Sequence, residues 1–318
     1  MKTSASLFKW ATLFLLVMLV ITLPSGCGRR GQKMRIAFAV KTLSNPFFID
    51  MVEAAKTEAN NHSDIELIIQ SGERETDIER QVQIVENFIT QKVAAICVTP
   101  CDSRGIIPAI LKANSKRIPV LIIDTKIDKN IANEQGAKTQ TFIGSDNYLG
   151  GRMAGEYLVK RLGGSGKVAI LEGVPGQETA ISRKSGFSDY MKQFSGMNIV
   201  TSQPADWNRE KGLNVFQNML QANPDIQALF ACNDEMALGA IQAIRTAGKE
   251  GKISVVGFDA TKDALDAIKS GYMDASVAQL PAEMGRLAIS NAVKVLHGEK
   301  IPPEIPTRVE LITKENIK

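Results

Sequence analysis

Residues 94–99, Ala94-Ala95-Ile96-Cys97-Val98-Thr99, have an echo in residues 228–233, Ala228-Leu229-Phe230-Ala231-Cys232-Asn233. Each apolar run leads into a helical pattern, through Leu111 in the first case and through Ile244 in the second. A second apolar run closes each unit: Ile118-Pro119-Val120-Leu121-Ile122-Ile123-Asp124 and Ile253-Ser254-Val255-Val256-Gly257-Phe258-Asp259. Both units read as strand–helix–strand, and both end on Asp. Unbroken aliphatic runs, without polar alternation, are what strands covered on both faces require, so the sheets are parallel with helices on each side. In open parallel sheets, ligands collect beyond the carboxyl ends of the strands. Asp124 and Asp259 are therefore expected at equivalent mouths of two similar domains, one carboxylate on each wall of a cleft.

The same alternation continues outward from this pair. Strands are predicted over 35–40, 65–70, 94–99, 120–124 and 141–145, and again over 167–172, 198–202, 228–231, 254–258 and 275–278. Amphipathic helical stretches lie between them, among them 48–60, 77–91, 148–162, 210–222 and 235–247. The fold class is α/β, with two similar doubly wound parallel-sheet domains. The 318 residues suit two domains of the usual ~100–200 each. With 44% apolar and 23% charged residues the composition is ordinary for a globular chain. No basic stripe interleaved with aromatics occurs, so nucleic acid is not an implied partner.

Residues 1–27 read as a processing segment. Lys2 and Lys9 precede an apolar run over 10–23, followed by Pro24-Ser25-Gly26-Cys27. That run is too short for ~30 Å of hydrocarbon but fits the core of an export signal. Small residues before Cys27 resemble a bacterial lipoprotein box, with Leu23 one position early and Pro24 in its place. Cys27 is thus expected to be lipidated and to anchor the chain, the alternative being conventional cleavage near it. Both readings place the body outside the cytoplasm. Losing residues 1–26 leaves 36 Lys and Arg against 34 Asp and Glu.

Cys97, Cys101 and Cys232 remain, an odd number with no spacing that suits a disulfide framework or a zinc site. They are read as buried or loop thiols. The two histidines, His62 and His297, lie in surface-like contexts, so a His-based catalytic centre has almost no material. No cofactor or metal is expected. Gly163-Gly164-Ser165-Gly166-Lys167 resembles a phosphate loop, but Arg161 and Val168 stand where that motif needs Gly and Ser or Thr. It is read as a turn feeding the next strand.

Candidate binding residues cluster after the predicted strands. In 41–48, Lys41-Thr42-Leu43-Ser44-Asn45-Pro46-Phe47-Phe48, Asn45 suits a helix cap and Pro46 a first turn. Phe47 and Phe48 point about 100° apart on a helix, so one is expected to face the cleft, unless both pack beneath the helix start. Arg183 lies in the helical stretch after the loop 173–176, and Trp207 follows the strand 198–202. Asn233 opens a helix, either as a cap alone or as a ligand contact. Gln279 precedes Pro281 in a segment read as crossing between domains. Asp, Asn and Gln side chains and an Arg fork can each bond two vicinal hydroxyls, and flat aromatic rings pack on the C–H faces of a sugar. Aromatics with carboxylates and amides, lacking a nucleophile–base pair, describe a binding site without catalytic residues.

These residues resemble the ribose-binding proteins of bacterial ABC transporters, within the periplasmic sugar-binding family that shares its fold with lactose-repressor-type regulators. The likeness runs from about residue 35 to 309. It is carried by TLSNPFF (42–48), SDNYLGG (145–151), SQPAD (202–206), KGLN (211–214), NDEMALGA (233–240), VVGFD (255–259) and AQLP (278–281). The resemblance implies sugar contacts at Asn45, Phe47, Phe48, Asp124, Arg183, Trp207, Asn233, Asp259 and Gln279, with Trp207 where the family commonly has Phe. It also implies a three-segment hinge near 146, 279–281 and 306–308. The resulting lobes are 34–146 with 280–306, and 147–279 with 307–318. A sugar ligand, an ABC permease as membrane partner and a monomeric state follow.

Two departures from the family pattern stand at the site. Thr125 replaces the usual Arg after the first Asp, and Lys41 replaces Ser at the first strand end. Lys41 would supply the missing cation, bond a hydroxyl or meet an acidic ligand, unless it points to solvent. The stretch 126–139 is also longer than the family pattern. The ligand implied is a ribose-like monosaccharide or related polyol, with an acidic sugar derivative as the alternative. A sugar hydrolase using Asp124 and Asp259 ~5–10 Å apart is the enzyme-class rival. A chemoreceptor or sensor would share the same binding body, whereas a DNA-binding regulator would need a helix-turn-helix where the export segment stands.

Overall fold

The structure, a computed structural model, describes residues 33–317. The expected export segment 1–27 and the lipidation candidate Cys27 lie outside the described residues.

The first sheet has the order β11-β5-β4-β3-β1-β2 and is parallel throughout. Its strands are β1 (Met34–Val40), β2 (Ile65–Ser71), β3 (Ala95–Val98), β4 (Val120–Ile123), β5 (Phe142–Ser145) and β11 (Glu304–Thr307). The helices α1 (Pro46–Asn60), α2 (Ile78–Thr90), α3 (Ile107–Ser115) and α4 (Lys129–Gln135) connect the first five. Alternate residues of β1 serve opposite faces. Ile36, Phe38 and Val40 join a core with α1 and α10 (Pro281–Leu296), while Ala37 and Ala39 join one with α2 and α3. Burial on both faces is what made this strand an unbroken apolar run.

The second sheet repeats the plan as β12-β10-β9-β8-β6-β7. Its strands are β6 (Ser165–Glu172), β7 (Gly196–Pro204), β8 (Ala228–Ala231), β9 (Ser254–Asp259), β10 (Ala275–Ala278) and β12 (Glu310–Thr313). The helices are α5 (Asn147–Arg161), α6 (Glu178–Met191), α7 (Arg209–Ala222), α8 (Asp234–Thr246) and α9 (Lys262–Lys269). Only β12 runs antiparallel to its neighbour β10. The units β3–α3–β4 and β8–α8–β9, recognised as an echo in sequence, occupy equivalent places in the two sheets. The turn before β6 has Gly163 and Gly164 at positive φ, as a tight turn permits and a phosphate loop is not needed to explain.

Three connections pass between the sheets: β5 to α5, β10 to α10, and β11 to β12. The last two return short strands to each sheet edge, and β11 extends through Thr307. In both sheets the chain reverses its direction of winding between the first and third strands, at β1/β3 and at β6/β8. Ligands bind outside such switch points, at the carboxyl ends of the strands. The two sets of strand ends face one another across a cavity lined from both sheets.

Candidate functional site

The first wall is built where β1, β2 and β4 end. Asn45 caps α1 by accepting from the Phe47 amide at 3.0 Å, and Pro46 occupies the first turn, as the sequence predicts. Its amide Nδ2 donates to Glu75 Oε1 at 2.9 Å. Phe47 and Phe48 both line the cavity and are both buried, with rings edge-to-face at 5.2 Å. Lys41 does not point to solvent; it is 2% exposed. Its Nζ donates to Asp124 Oδ2 at 3.1 Å and to Thr125 Oγ1 at 2.9 Å, with Glu75 Oε2 at 3.8 Å. Burial alone would lower the Lys41 pKa, but Asp124 and Glu75 outweigh it and hold it above the ordinary value. Glu75 itself is pushed up by burial, against the pull of Lys41 and of the Asn45 hydrogen bond.

The second wall comes from the ends of β6 to β10. Arg183 on α6 donates through Nε to Asn147 Oδ1 at 2.8 Å and through Nη1 to the Cys232 carbonyl at 2.7 Å. Its guanidinium lies 3.6 Å from the Phe258 ring centroid and 3.6 Å from Asp259 Oδ1. Gly151 makes this placement possible. A Cβ there would sit 2.0 Å from the Arg183 carbonyl oxygen, so only glycine lets α5 and α6 approach this closely. Trp207 packs on Gly173 in the same way, with its Nε1 donating to Gln177 Oε1 at 2.8 Å. Asn233 fills both of its expected roles. Its Oδ1 caps α8 by accepting from the Met236 amide, its Nδ2 donates to the Trp207 carbonyl, and its side chain lines the cavity.

Backbone strain concentrates at these strand ends. Of the seven non-glycine residues at positive φ among those described, five are Asp124, Asp206, Trp207, Asp259 and Ala260. Asp124, at φ 65°, is the centre of a tight turn closed by the Thr125 amide on the Ile123 carbonyl at 2.7 Å. Such conformations cost ~1–3 kcal/mol each and persist where surrounding structure over-determines them, typically at ligand clamps. Asp259, at φ 113°, occupies the matching place on the other wall.

The cavity is small, with ≈ 20 Å³ of space left among its lining side chains, far below the ~300–1,000 Å³ usual for small-molecule sites. It leaves specific bonding capacity unused. Gln279 Nε2 donates to Asp259 Oδ1 at 2.7 Å, while Gln279 Oε1 is buried without any hydrogen-bond partner. A buried acceptor left unmet costs roughly 1–3 kcal/mol, which a ligand hydroxyl would relieve. The hydrogen bonds that Asp124, Asp259 and Arg183 make through their side chains use Asp124 Oδ2, Asp259 Oδ1 and Arg183 Nε and Nη1. Burial holds the Asp259 pKa well above the ordinary value, with Arg183 opposing and Asp234 adding to the shift.

Ten of the eleven residues expected to touch ligand line this one cavity: Lys41, Asn45, Phe47, Phe48, Asp124, Arg183, Trp207, Asn233, Asp259 and Gln279. Thr125 is the correction. It is fully buried behind the wall, bonded to Lys41, to Asp124 and, at 3.0 Å, to Thr179 of the opposite lobe. Two lining residues escaped the sequence reading, Glu75 and Thr179. Glu75 sits in the loop after β2, a strand end like the others, and that position was the available signal. Thr179 begins α6, beside the Glu178 amide that donates across the lobes to Ser103 Oγ at 3.0 Å. Cys97, Cys101 and Cys232 are buried, and burial pushes each thiol up to about 12, which leaves them inert as nucleophiles.

Residues 36–300 match the family model described as periplasmic binding protein domain. The chain is 40% identical to the ribose import binding protein RbsB of Bacillus subtilis, over 99% of this chain and 100% of that protein. It is 38% identical to the Escherichia coli K12 protein of the same name, over 89% and 92%. Among solved structures, a periplasmic solute binding protein of an ABC transporter from Actinobacillus succinogenes, with bound D-allose, superposes with TM-score 0.84 at 40% identity, covering 89% of this chain and 98% of that one. An ABC transporter solute binding protein from Bacillus halodurans, with bound myo-inositol, superposes with TM-score 0.83 at 33% identity, covering 91% and 97%.

Proposed function

The chain belongs to the periplasmic binding protein domain family, and we propose that it is the extracytoplasmic solute-binding component of an ABC importer, holding a ribose-like monosaccharide or cyclic polyol between its lobes. The observation that carries this reading is the cavity itself. Aromatic faces from both lobes enclose it, Asp124 and Asp259 stand on opposite walls, and the Gln279 acceptor is buried and unmet. Hydroxyls that both donate and accept answer that set, and ring C–H faces answer Phe47, Phe48 and Trp207.

We read the two carboxylates as holding solute hydroxyls, since each already faces a cation, Asp124 the Lys41 ammonium and Asp259 the Arg183 guanidinium. The lobes comprise 34–146 with 280–306, and 147–279 with 307–318, joined by three connections that act as a hinge. Solute bridging the two walls stabilises the closed form, which a membrane permease then receives. Residues 1–27 direct export, Cys27 carries a lipid anchor, and the binder works as a monomer.

The test uses the protein beginning after residue 27, in which Trp207 is the sole tryptophan. Titration with pentoses, hexoses and cyclitols is expected to shift its emission saturably with the solute that binds. If calorimetry proves a ligand to which Trp207 stays silent, its stacking role is lost.

A further inference from the structure

The charges lining the cavity do not balance. Three carboxylates, Glu75, Asp124 and Asp259, face two cations, Lys41 and Arg183. Lys41 bonds Asp124 at 3.1 Å, and Arg183 stands 3.6 Å from Asp259. Glu75 is the carboxylate left over. Lys41 is 3.8 Å away from it, beyond hydrogen-bond reach, and its one firm bond comes from Asn45 Nδ2 at 2.9 Å. A carboxylate offers about four acceptor positions, so most of the capacity of Glu75 is unused although its side chain is only 10% exposed. Within the cavity the charged groups around it are Lys41, Asp124 and Arg183, and both cations are already committed to other partners; Arg74, Arg209 and Lys211 line an adjoining groove that reaches Glu75, and each is paired with another carboxylate.

We propose that Glu75 sets the charge selectivity of the cleft, so that the solute is an amino-substituted sugar or cyclitol whose ammonium group meets Glu75. This rests on the sugar-type reading above and names the ligand class within it. A buried carboxylate that shares its one nearby ammonium with Asp124 is costly to ionise, and an ammonium brought by the ligand lowers that cost while making a charge-assisted hydrogen bond. Phe47, Phe48 and Trp207 line the same small space, and aromatic faces attract a desolvated cation. A sugar acid has the opposite fate. It would add a further carboxyl group to a cavity that already holds three and whose ammonium and guanidinium are already engaged, so Lys41 does not mark a site for acidic ligands.

The experiment is calorimetric titration of the wild-type protein with D-ribose, D-allose, D-glucose, D-galactose and myo-inositol, the amino-deoxy derivatives of each and the uronic acids of the hexoses. At one ring position the amine is expected to bind about tenfold tighter than the parent hydroxyl, the difference between a neutral and a charge-assisted bond. The uronic acids are expected to bind at least about tenfold more weakly than the parent. Glu75→Gln keeps the acceptor for Asn45 and should abolish the amine preference, while Glu75→Asp should retain it. If Glu75→Gln does not fold, the wild-type series still decides. Parents that bind as well as every amine, or acids that bind as well as their parents, overturn this inference and leave the sugar reading standing. Failure of all three sets to bind removes both.

Discussion

Replacing Lys41 with Met isolates what the buried ammonium contributes. The substitution keeps an unbranched stem but removes the ammonium from Asp124 Oδ2, Thr125 Oγ1 and Glu75, leaving Asp124 Oδ2 only the Thr125 hydroxyl and Glu75 only the Asn45 amide. Removing one partner of a buried ion pair costs ~3–5 kcal/mol, because the other charge stays buried and unpaired. In an opened cleft water hydrates Asp124 and Glu75, so most of that cost falls on closure and therefore on affinity. A loss of ~3 kcal/mol corresponds to roughly 150-fold weaker binding at ~1.4 kcal/mol per tenfold. The loss must also depend on pH in a definite direction. Burial already raises Glu75, and loss of Lys41 removes the attraction opposing that shift. A carboxyl whose pKa is raised on closure favours the closed form as pH falls through that pKa, and disfavours it as pH rises. Lys41 itself, held above its ordinary value, stays charged throughout the range pH 5–8. Calorimetry with the cognate sugar from pH 5 to 8 should therefore show the deficit of Lys41→Met shrinking toward pH 5. Thermal unfolding without ligand checks that the variant folds. A deficit below about fivefold at neutral pH, or one that does not change with pH, refutes the reasoning.

Gly173→Ala places a Cβ 1.9 Å from the Trp207 ring. Overpacking of this kind costs ~1–3 kcal/mol, so sugar affinity should fall about tenfold and Trp207 emission should shift; unchanged emission contradicts the packing. Asp234 is pushed up to about 7 by burial, against hydrogen bonds from Ser276 Oγ and the Thr261 amide. The folded chain thus holds a proton that the unfolded chain releases above about pH 4, and urea stability should decline as pH rises from about 4 to 7. Asp234→Asn should flatten that slope, and a wild-type midpoint independent of pH would contradict the shift.

The repeated strand–helix–strand unit made the two sheets legible, because strands buried on both faces must be continuously apolar. Capping at Asn45 and the cavity-lining strand ends Asp124 and Asp259 followed from the same local logic. The edge strands β11 and β12 did not, since four-residue strands such as Glu304–Thr307, containing Pro306, carry almost no periodic signal. The helix α10 was also missed; its Pro281 start read only as a crossing segment. At the site, Glu75 stands at a strand end like the others, but Thr179 was invisible for another reason. Its role arises when the lobes meet, as when it reaches Thr125 across 54 residues of sequence. Thr125 was misplaced by the same limit, because adjacency to Asp124 says nothing about which side of a strained turn faces the cavity. The two aromatic rings at 47 and 48 show the converse. A helix start that projects into a cleft can present neighbouring side chains to one cavity although their directions differ by about 100°.

In the proposed binding mode one solute is held simultaneously by both lobes. Asp124→Asn and Asp259→Asn remove one negative charge from opposite walls while keeping the side-chain shape, and their sugar affinities should be measured side by side by calorimetry. Each is expected to bind roughly 10- to 150-fold more weakly than wild type, the ~1.5–3 kcal/mol of a hydrogen bond to a charged group. If either variant binds the sugar as tightly as wild type, the solute is gripped by one wall alone and the account is contradicted.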